Sequence, residues 1–362
     1  MLLLQLARFS SLLSRNLTLG ALFLGAPFFI YPGKVAEPQL YQALLFQCLA
    51  IILAITGGQS HKKITIISLV AAFFIVTTSE IFHISAFYQA QNILSGVLFL
   101  YAIKPSDYPL IKKLLGISCL MSCLFVMVQL LGIDPYSQFM SFFGYQSVGL
   151  NPHPASGSLG NKIHSALFVI ATMFFISPKL WIIPLVTMLF MDSQLAMASA
   201  FIGACSFFSY KRKEFEPLII SAISICGIGA FSLFGSGMIF TGRLETWTAF
   251  LKWFGIKPLG AGVGYIAIHF KNVHNYAGQI FSNLHSELFE VYAIAGIVGL
   301  GLFVMVARDI LNPGKPELNA CLITLLFSCL GNFSFHIAPL FIVFGACYAI
   351  HIKKEPSWHN QQ

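Results

Sequence analysis

SGMIFTGRLETWTAFLKWFGIKPLGAGVGYIAIHFKNVHNYAGQIFSNLHSELFEVYAIAGIVG, residues 236–299, is the longest interval of the chain without an early run able to cross a bilayer. Such a run needs about 20 apolar residues, and only the last part of this stretch begins one. Before it come Arg243, Lys252, Lys257, His269, Lys271, His274 and His285, and the apolar helix that follows opens with Glu287 and Glu290. Working outward, the flanking sequence is a succession of apolar runs. Basic and imidazole groups gathered into one loop of an otherwise apolar chain point to a site for an anionic, lipid-carried ligand.

The composition supports that frame. Of 362 residues, 57% are hydrophobic and 9% charged, with a mean hydropathy of +0.79. Soluble domains carry about a quarter charged residues. The expected fold class is therefore all-α: a polytopic transmembrane helical bundle, one domain over residues 1–362, with about twelve spans. The net charge of +8 does not indicate nucleic acid, because the basic residues are scattered as short clusters between apolar runs, the pattern that encodes topology. The eight cysteines all fall inside apolar runs without a CxxC pair and read as small buried hydrophobes. Arg8 and Arg15 precede the first run, which reads as a retained helix rather than a cleaved signal.

Spans are expected at 17–33, 40–58, 64–79, 84–103, 110–131, 163–177, 179–192, 194–210, 217–235, 288–307, 318–333 and 336–352. The pair covering 163–192 also reads as one span plus a re-entrant segment. An even number of crossings puts both termini on one face. Fifteen of the 21 Lys and Arg fall on that face; Lys34, Lys162, Arg243, Lys252, Lys257 and Lys271 fall on the other. The excess makes the terminal face cytoplasmic, so the long loops 132–162 and 236–287 face the periplasm. Five of the six outer cations lie in these two loops, held where positive charge is disfavoured. Glu80, His83, Gln89, Gln91 and Asn92 make the fourth segment polar, and such groups belong in the bundle interior or at its outer rim.

Two residues stand out. Arg243 sits in TGRLETWTAFLKWF, where Leu244, Trp247, Phe250, Leu251 and Phe254 form an apolar stripe suited to a helix lying in the interface. It reads either as an anchor paired with Glu245 or as a guanidinium fork for phosphate oxygens, which lysine cannot match. His285 precedes a helix read as continuous, with Phe289, Tyr292 and Gly296 on its face. It is either a helix cap or a base able to activate an alcohol near neutral pH. Lys162, Lys252, Lys257, His274, Trp247, Gly262 and Gly264 are candidates for substrate contact. Gly260, Gly262 and Gly264 serve equally a tight turn or a wall close to a sugar or diphosphate; they lack the frame of a Walker loop. Gly296 and Gly299 suit close helix packing. No zinc spacing, HExxH, Asp-x-Asp or GxSxG occurs, and no metal or cofactor is expected.

HSELFEVYAIAGIVG resembles the motif of the O-antigen ligase family (His, Asn/Ser/Gln, nine residues, Gly, two residues, Gly/Thr/Tyr), at His285, Ser286, Gly296 and Gly299. TGRLETWTAF with PLGAGVG is similar to the family's Gly-Arg…Trp…Pro-x-Gly-x-Gly block, at Gly242, Arg243, Trp247, Pro258, Gly260, Gly262 and Gly264. SGSLGNKIHSALFVIA, residues 156–171, is similar to the Gly-Asn start of a middle helix in these proteins. The resemblance implies a metal-independent, inverting glycosyltransferase of the bacterial inner membrane, acting at the periplasmic face in lipopolysaccharide biosynthesis. The donor would be a glycan on undecaprenyl diphosphate and the acceptor lipid A-core, with a repeat-unit polymerase as the alternative within the class. By that resemblance His285 would serve the acceptor hydroxyl and Arg243 the diphosphate. Where many members have Ser-Arg entering the eighth span, this chain has Ser193-Gln194, and Lys162 or Lys252 would supply the second cation. A polysaccharide transporter or flippase is the rival from another class; it predicts paired charges or broken helices at mid-membrane.

Overall fold

The computed structural model describes residues 13–25, 28, 38–77, 84–135, 138, 157–159, 161–212, 243–270, 284, 286–312, 314–331 and 337–353. Among them every regular element is helical and no strand occurs. We label the helices α1 (13–25, ending in the π-type turn Ala21–Gly25), α2 (Pro38–Ile55), α3 (Lys62–Val76), α4 (Ile84–Ala102), α5 (Tyr108–Leu130), α6 (Lys162–Thr172) and α7 (Ile182–Met191). There follow α8 (Gln194–Arg212), α9 (Arg243–Phe254), α10 (Tyr265–His269), α11 (Glu287–Leu311), α12 (Pro316–Gly331) and α13 (Ala338–Ile352). Helices thus occupy the apolar runs read from the sequence; the run at 217–235 lies outside the described residues.

The centre of the fold is α6. Every residue from His164 to Thr172 is buried, and α5, α7, α8, α12 and α13 pack around it. The small residues that permit this are identifiable: a Cβ on Gly203 would stand 2.0 Å from Thr324 Oγ1, so the missing side chain of α8 makes room for the Thr324 hydroxyl of α12. Apolar side chains cover the outer faces too, with Ile55, Leu69, Leu124, Phe201 and Val304 all exposed. Monomeric soluble proteins rarely carry such surfaces. Among the described residues two helices, Pro105–Leu130 and Glu287–Leu311, are long and apolar enough to cross a membrane.

The segment 162–192 is a hairpin. Lys162–Phe175 and Pro178–Met191 are its arms, joined through short 3₁₀ turns at Met173–Phe175 and Pro178–Leu180. Arms of this length reach about 21 Å at 1.5 Å per residue, short of the roughly 30 Å hydrocarbon core. The turn stops beside the middle of α5, where a Cβ on Gly116 would lie 3.1 Å from the Phe175 carbonyl. Trp181 fills the space under it, edge-on to Phe174 at 5.3 Å and Phe207 at 4.9 Å. At the open end Asn161 caps α6 through Ile163 N–H at 2.9 Å, and Lys162 Nζ meets Asp192 Oδ2 at 3.8 Å.

One end of the bundle is ionic. Arg15, 4% exposed, donates to Asp107 Oδ1 at 2.9 Å and to the carbonyls of Gly57 (2.9 Å) and Ala102 (2.7 Å). These carbonyls close α2 and α4, where the helix dipoles favour a cation. Lys353 serves the same helix end, donating to the carbonyls of Leu100, Tyr101 and Ile103 at 2.8, 3.0 and 2.6 Å. Asp309 pairs with Lys63 and accepts from Tyr348 Oη at 3.0 Å, and Lys112 Nζ meets Glu317 Oε1 at 2.6 Å. Arg15, Lys63, Lys112 and Lys353 all belong to the face that the charge count assigns to the termini. His61 caps α3 by accepting Lys63 N–H on Nδ1 at 3.3 Å. Burial first, and then the Lys63 ammonium, hold its pKa below the ordinary 6.5, which keeps that lone pair available.

Candidate functional site

At the opposite end, α9, the loop 255–264, α10 and the start of α11 form a second, smaller core. Phe250, Phe254, Ile266, Phe270, Leu284 and Ala293 make it up. The stripe expected on α9 exists at Trp247, Phe250 and Phe254, but it faces α11: Trp247 lies 5.2 Å and Phe250 6.0 Å, between ring centroids, from Phe289, and Phe254 5.7 Å from Tyr292. Leu251 is off this face and exposed. α9 therefore packs as a tertiary element, where the sequence predicts a helix lying in the interface.

The helix carrying Gly296 is not continuous. Gly296 has φ 57° and ψ −140°, which breaks α11 into Glu287–Ala295 and Ile297–Leu311. Such a conformation is open essentially to glycine alone. A break strands main-chain groups, and in a dry environment each stranded group is costly. The glycine loop supplies them. Ala261 N–H donates to the Ala293 carbonyl at 2.7 Å, Gly262 N–H to the Ile294 carbonyl at 3.1 Å, and Ile297 N–H to the Pro258 carbonyl at 2.8 Å.

Side chains would prevent this docking. A Cβ on Gly296 would lie 2.1 Å from the Pro258 carbonyl oxygen, and one on Gly260, at φ 71°, 2.4 Å from that of Ile294. Gly264, at φ 79°, packs on Ala86 of α4 and gives its N–H to Gln89 Oε1. Gln89 thus sits at the rim beside the loop, one of the two places its polarity suggests. Gly299 meets the folded-back first half of its own helix, with a Cβ 2.7 Å from the Val291 carbonyl, rather than a neighbouring helix.

The start of α11 is polar and buried. Ser286 is its N-cap residue, and Glu287 and Glu290 are 2% and 3% exposed. Glu290 reaches back to accept Leu284 N–H on Oε1 at 2.7 Å, while Trp247 Nε1 donates to the Leu284 carbonyl at 2.8 Å. His285 and His274 lie outside the described residues, as does the side chain of Arg243, whose backbone begins α9. Leu284 and Ser286, on either side of position 285, are both described.

The cations separate by environment. Lys252 is exposed on α9. Lys257 stands over the rings of Phe254 and Tyr265, at 4.7 and 4.6 Å, and reaches Tyr265 Oη at 3.3 Å. Lys162 is at the mouth of the hairpin with Asp192, and Ser193, ahead of Gln194, is buried as an N-terminal cap accepting Ala196 N–H at 3.4 Å. The sequence singles out Gln89 and Glu290 by their polarity, but their partners, the N–H groups of Gly264 and Leu284, are main-chain groups that leave no mark in it. Beside the loop, Leu69, Val70, Phe73 and Phe74 of α3 with Leu259 and Val298 line an apolar groove of about 190 Å³. Among the described residues no three His, Cys, Asp or Glu side chains converge as a metal site requires. No family model and no curated protein matches the sequence.

Proposed function

We propose that the chain is an inner-membrane glycosyltransferase of the O-antigen ligase type. It moves a glycan from undecaprenyl diphosphate to an acceptor hydroxyl of lipid A-core at the periplasmic face. One observation carries this reading. Two of the three sequence blocks that resemble the family, 242–264 and 285–299, are separated by 20 residues and pack on each other at one end of the bundle. They are joined there by the three hydrogen bonds across the Gly296 break and by the Trp247–Leu284 bond. Their contact supports a reading in which a donor diphosphate is held at this end.

In this reading Arg243, at the start of α9, neutralises the diphosphate as the leaving group forms, an electrostatic service that strengthens in the transition state. His285 orients or deprotonates the acceptor hydroxyl. The polyprenyl tail lies along the apolar groove between α3, Leu259 and Val298, on a surface already facing lipid. Of the two readings that the sequence allows for 162–192, we take the re-entrant one, with the remaining runs as crossings. Both versions return the chain to the same face, so the ionic end around Arg15 and Lys353 stays cytoplasmic and the glycine loop periplasmic.

The flippase reading draws on the break at Gly296, since transporters build binding sites from broken helices. Here the carbonyls of Ala293 and Ile294 already accept from Ala261 and Gly262, so these two oxygens serve the docked loop rather than standing open to an ion. The test is reconstitution of the full chain in liposomes with undecaprenyl-diphosphate-linked oligosaccharide and lipid A-core lacking O-antigen. We expect a lipid A-core-linked product and release of undecaprenyl diphosphate, unchanged by EDTA. Elongation of the donor glycan without lipid A-core would select the polymerase. Movement of intact donor across the bilayer, with no product, would overturn the enzyme reading.

A further inference from the structure

The main chain just ahead of position 285 is held from two sides. Leu284 is fully buried. Its N–H is taken by the Glu290 carboxylate and its carbonyl by the Trp247 indole. The indole ring rests on Phe289, adjacent to Glu290, so both arms of this clamp are seated on the first turns of α11. A peptide unit is planar, so a bond that holds the Leu284 carbonyl restrains the whole peptide unit to which that carbonyl belongs. On the far side, the Ser286 carbonyl accepts Glu290 N–H at 3.1 Å and opens α11.

A carboxylate as buried as Glu290 is costly unless it accepts hydrogen bonds. The positive end of the α11 dipole lowers that cost at this place. A surface cap needs neither the burial nor the second arm. From the sequence Trp247 is a candidate for substrate contact; in the structure its N–H is given to the main chain.

We propose that Trp247 and Glu290 are positioning residues, which set the approach of the residue-285 side chain to the acceptor hydroxyl. This rests on the reading of His285 given above. In this role both act through their bonds to Leu284 rather than on the reacting atoms. Their effect on turnover is transmitted through the Leu284 peptide units, and a misplacement of about 1 Å in such a site costs on the order of 100-fold in rate.

The experiment uses full-length protein in nanodiscs, with undecaprenyl-diphosphate-linked oligosaccharide and lipid A-core as substrates. The variants are Trp247→Phe, which keeps a ring against Phe289, Glu290→Leu, Glu290→Gln and His285→Ala. Trp247→Phe and Glu290→Leu are expected to lower kcat about 10- to 100-fold, with the donor KM and the folded fraction unchanged. Glu290→Gln keeps an acceptor oxygen for Leu284 N–H and is expected to recover most of that loss. Combining Trp247→Phe with His285→Ala should cost no more than His285→Ala alone.

Wild-type kcat in Trp247→Phe, a raised donor KM with kcat intact, or additive losses in the double variant would each overturn the clamp. Wild-type turnover in His285→Ala would instead sink the catalytic reading itself. A readout without substrate comes from diethylpyrocarbonate labelling followed by mass spectrometry. The carbethoxylation rate of His285 should change in Trp247→Phe and Glu290→Leu while that of His269 does not. Equal rates at His285 in all forms would also refute the clamp.

Discussion

Replacing Gly296 by alanine separates a broken helix from a straight one by the sign of its effect. In a straight helix the substitution is favourable by about 1 kcal/mol, because alanine loses less chain entropy. Here Gly296 holds φ 57°, ψ −140°, and its new methyl would stand 2.1 Å from the Pro258 carbonyl oxygen and 2.5 Å from Gly260 N. The backbone conformation alone costs a non-glycine residue about 1–3 kcal/mol. Relieving the clash moves the loop and weakens the Ile297–Pro258 bond and its two neighbours, each worth about 1 kcal/mol. The total is about 3–5 kcal/mol, or roughly 6–10 °C in Tm at about 2 °C per kcal/mol.

Gly299 and Gly301 calibrate the measurement. Gly299→Ala must displace Val291 and Ala295, whereas a methyl on Gly301 meets nothing within 4 Å. The expected order of Tm in detergent, followed by circular dichroism, is Gly301→Ala at or above wild type, then Gly299→Ala, then Gly296→Ala. Gly296→Ala as stable as Gly301→Ala would refute the break and the loop docking with it.

At the other end, Asp107→Ala leaves the 4%-exposed Arg15 without its counter-ion and should cost about 3 kcal/mol or more. Lys112→Ala opens a pair whose lysine is 45% exposed and should cost under about 1 kcal/mol; equal shifts in Tm would contradict the buried pairing. His61 caps α3 only when neutral, and its folded pKa lies below 6.5. The cap's contribution is therefore complete above pH 6.5 and lost as pH falls through the folded value. Protection factors at residues 63–66, corrected for the intrinsic pH dependence of amide exchange, should fall between pH 7.5 and pH 5, and His61→Ala should abolish that dependence. Arg243→Lys keeps the charge but not the fork, and transfer should fall on the order of 10-fold, with Arg243→Ala lower still; full activity in the lysine form would leave Arg243 an anchor.

Much of the helical layout is legible because apolar runs and their polar breaks are local signals. Asn161 caps α6 and Pro178 opens the return arm, as their residue types allow. Gly296 was legible only as a small residue suited to packing. Whether AIAGIVG continues or breaks depends on a loop that begins 38 residues earlier docking at Ala293 and Ile294, a tertiary event without a sequence period. Trp247 had the same difficulty. Its stripe with Phe250 and Phe254 follows from helical spacing, but whether the stripe meets lipid or α11 does not. The pairing of Arg15 with Asp107, 92 residues apart, is likewise a product of the bundle. The glycine spacing of the loop reads equally as a tight turn or a wall for substrate; its main-chain docking on α11 depends on a partner that the spacing does not name.

The central claim is that position 285 acts in transfer at this end of the bundle, and His285→Ala tests it most directly. The variant is reconstituted with undecaprenyl-diphosphate-linked oligosaccharide and lipid A-core, and turnover per folded molecule is measured beside donor binding. Loss of positioned acid–base help costs about 100- to 10,000-fold. The account predicts a fall in that range with donor binding and Tm preserved, and milder effects for His269→Ala and His274→Ala. Turnover per folded molecule near the wild-type value would contradict it.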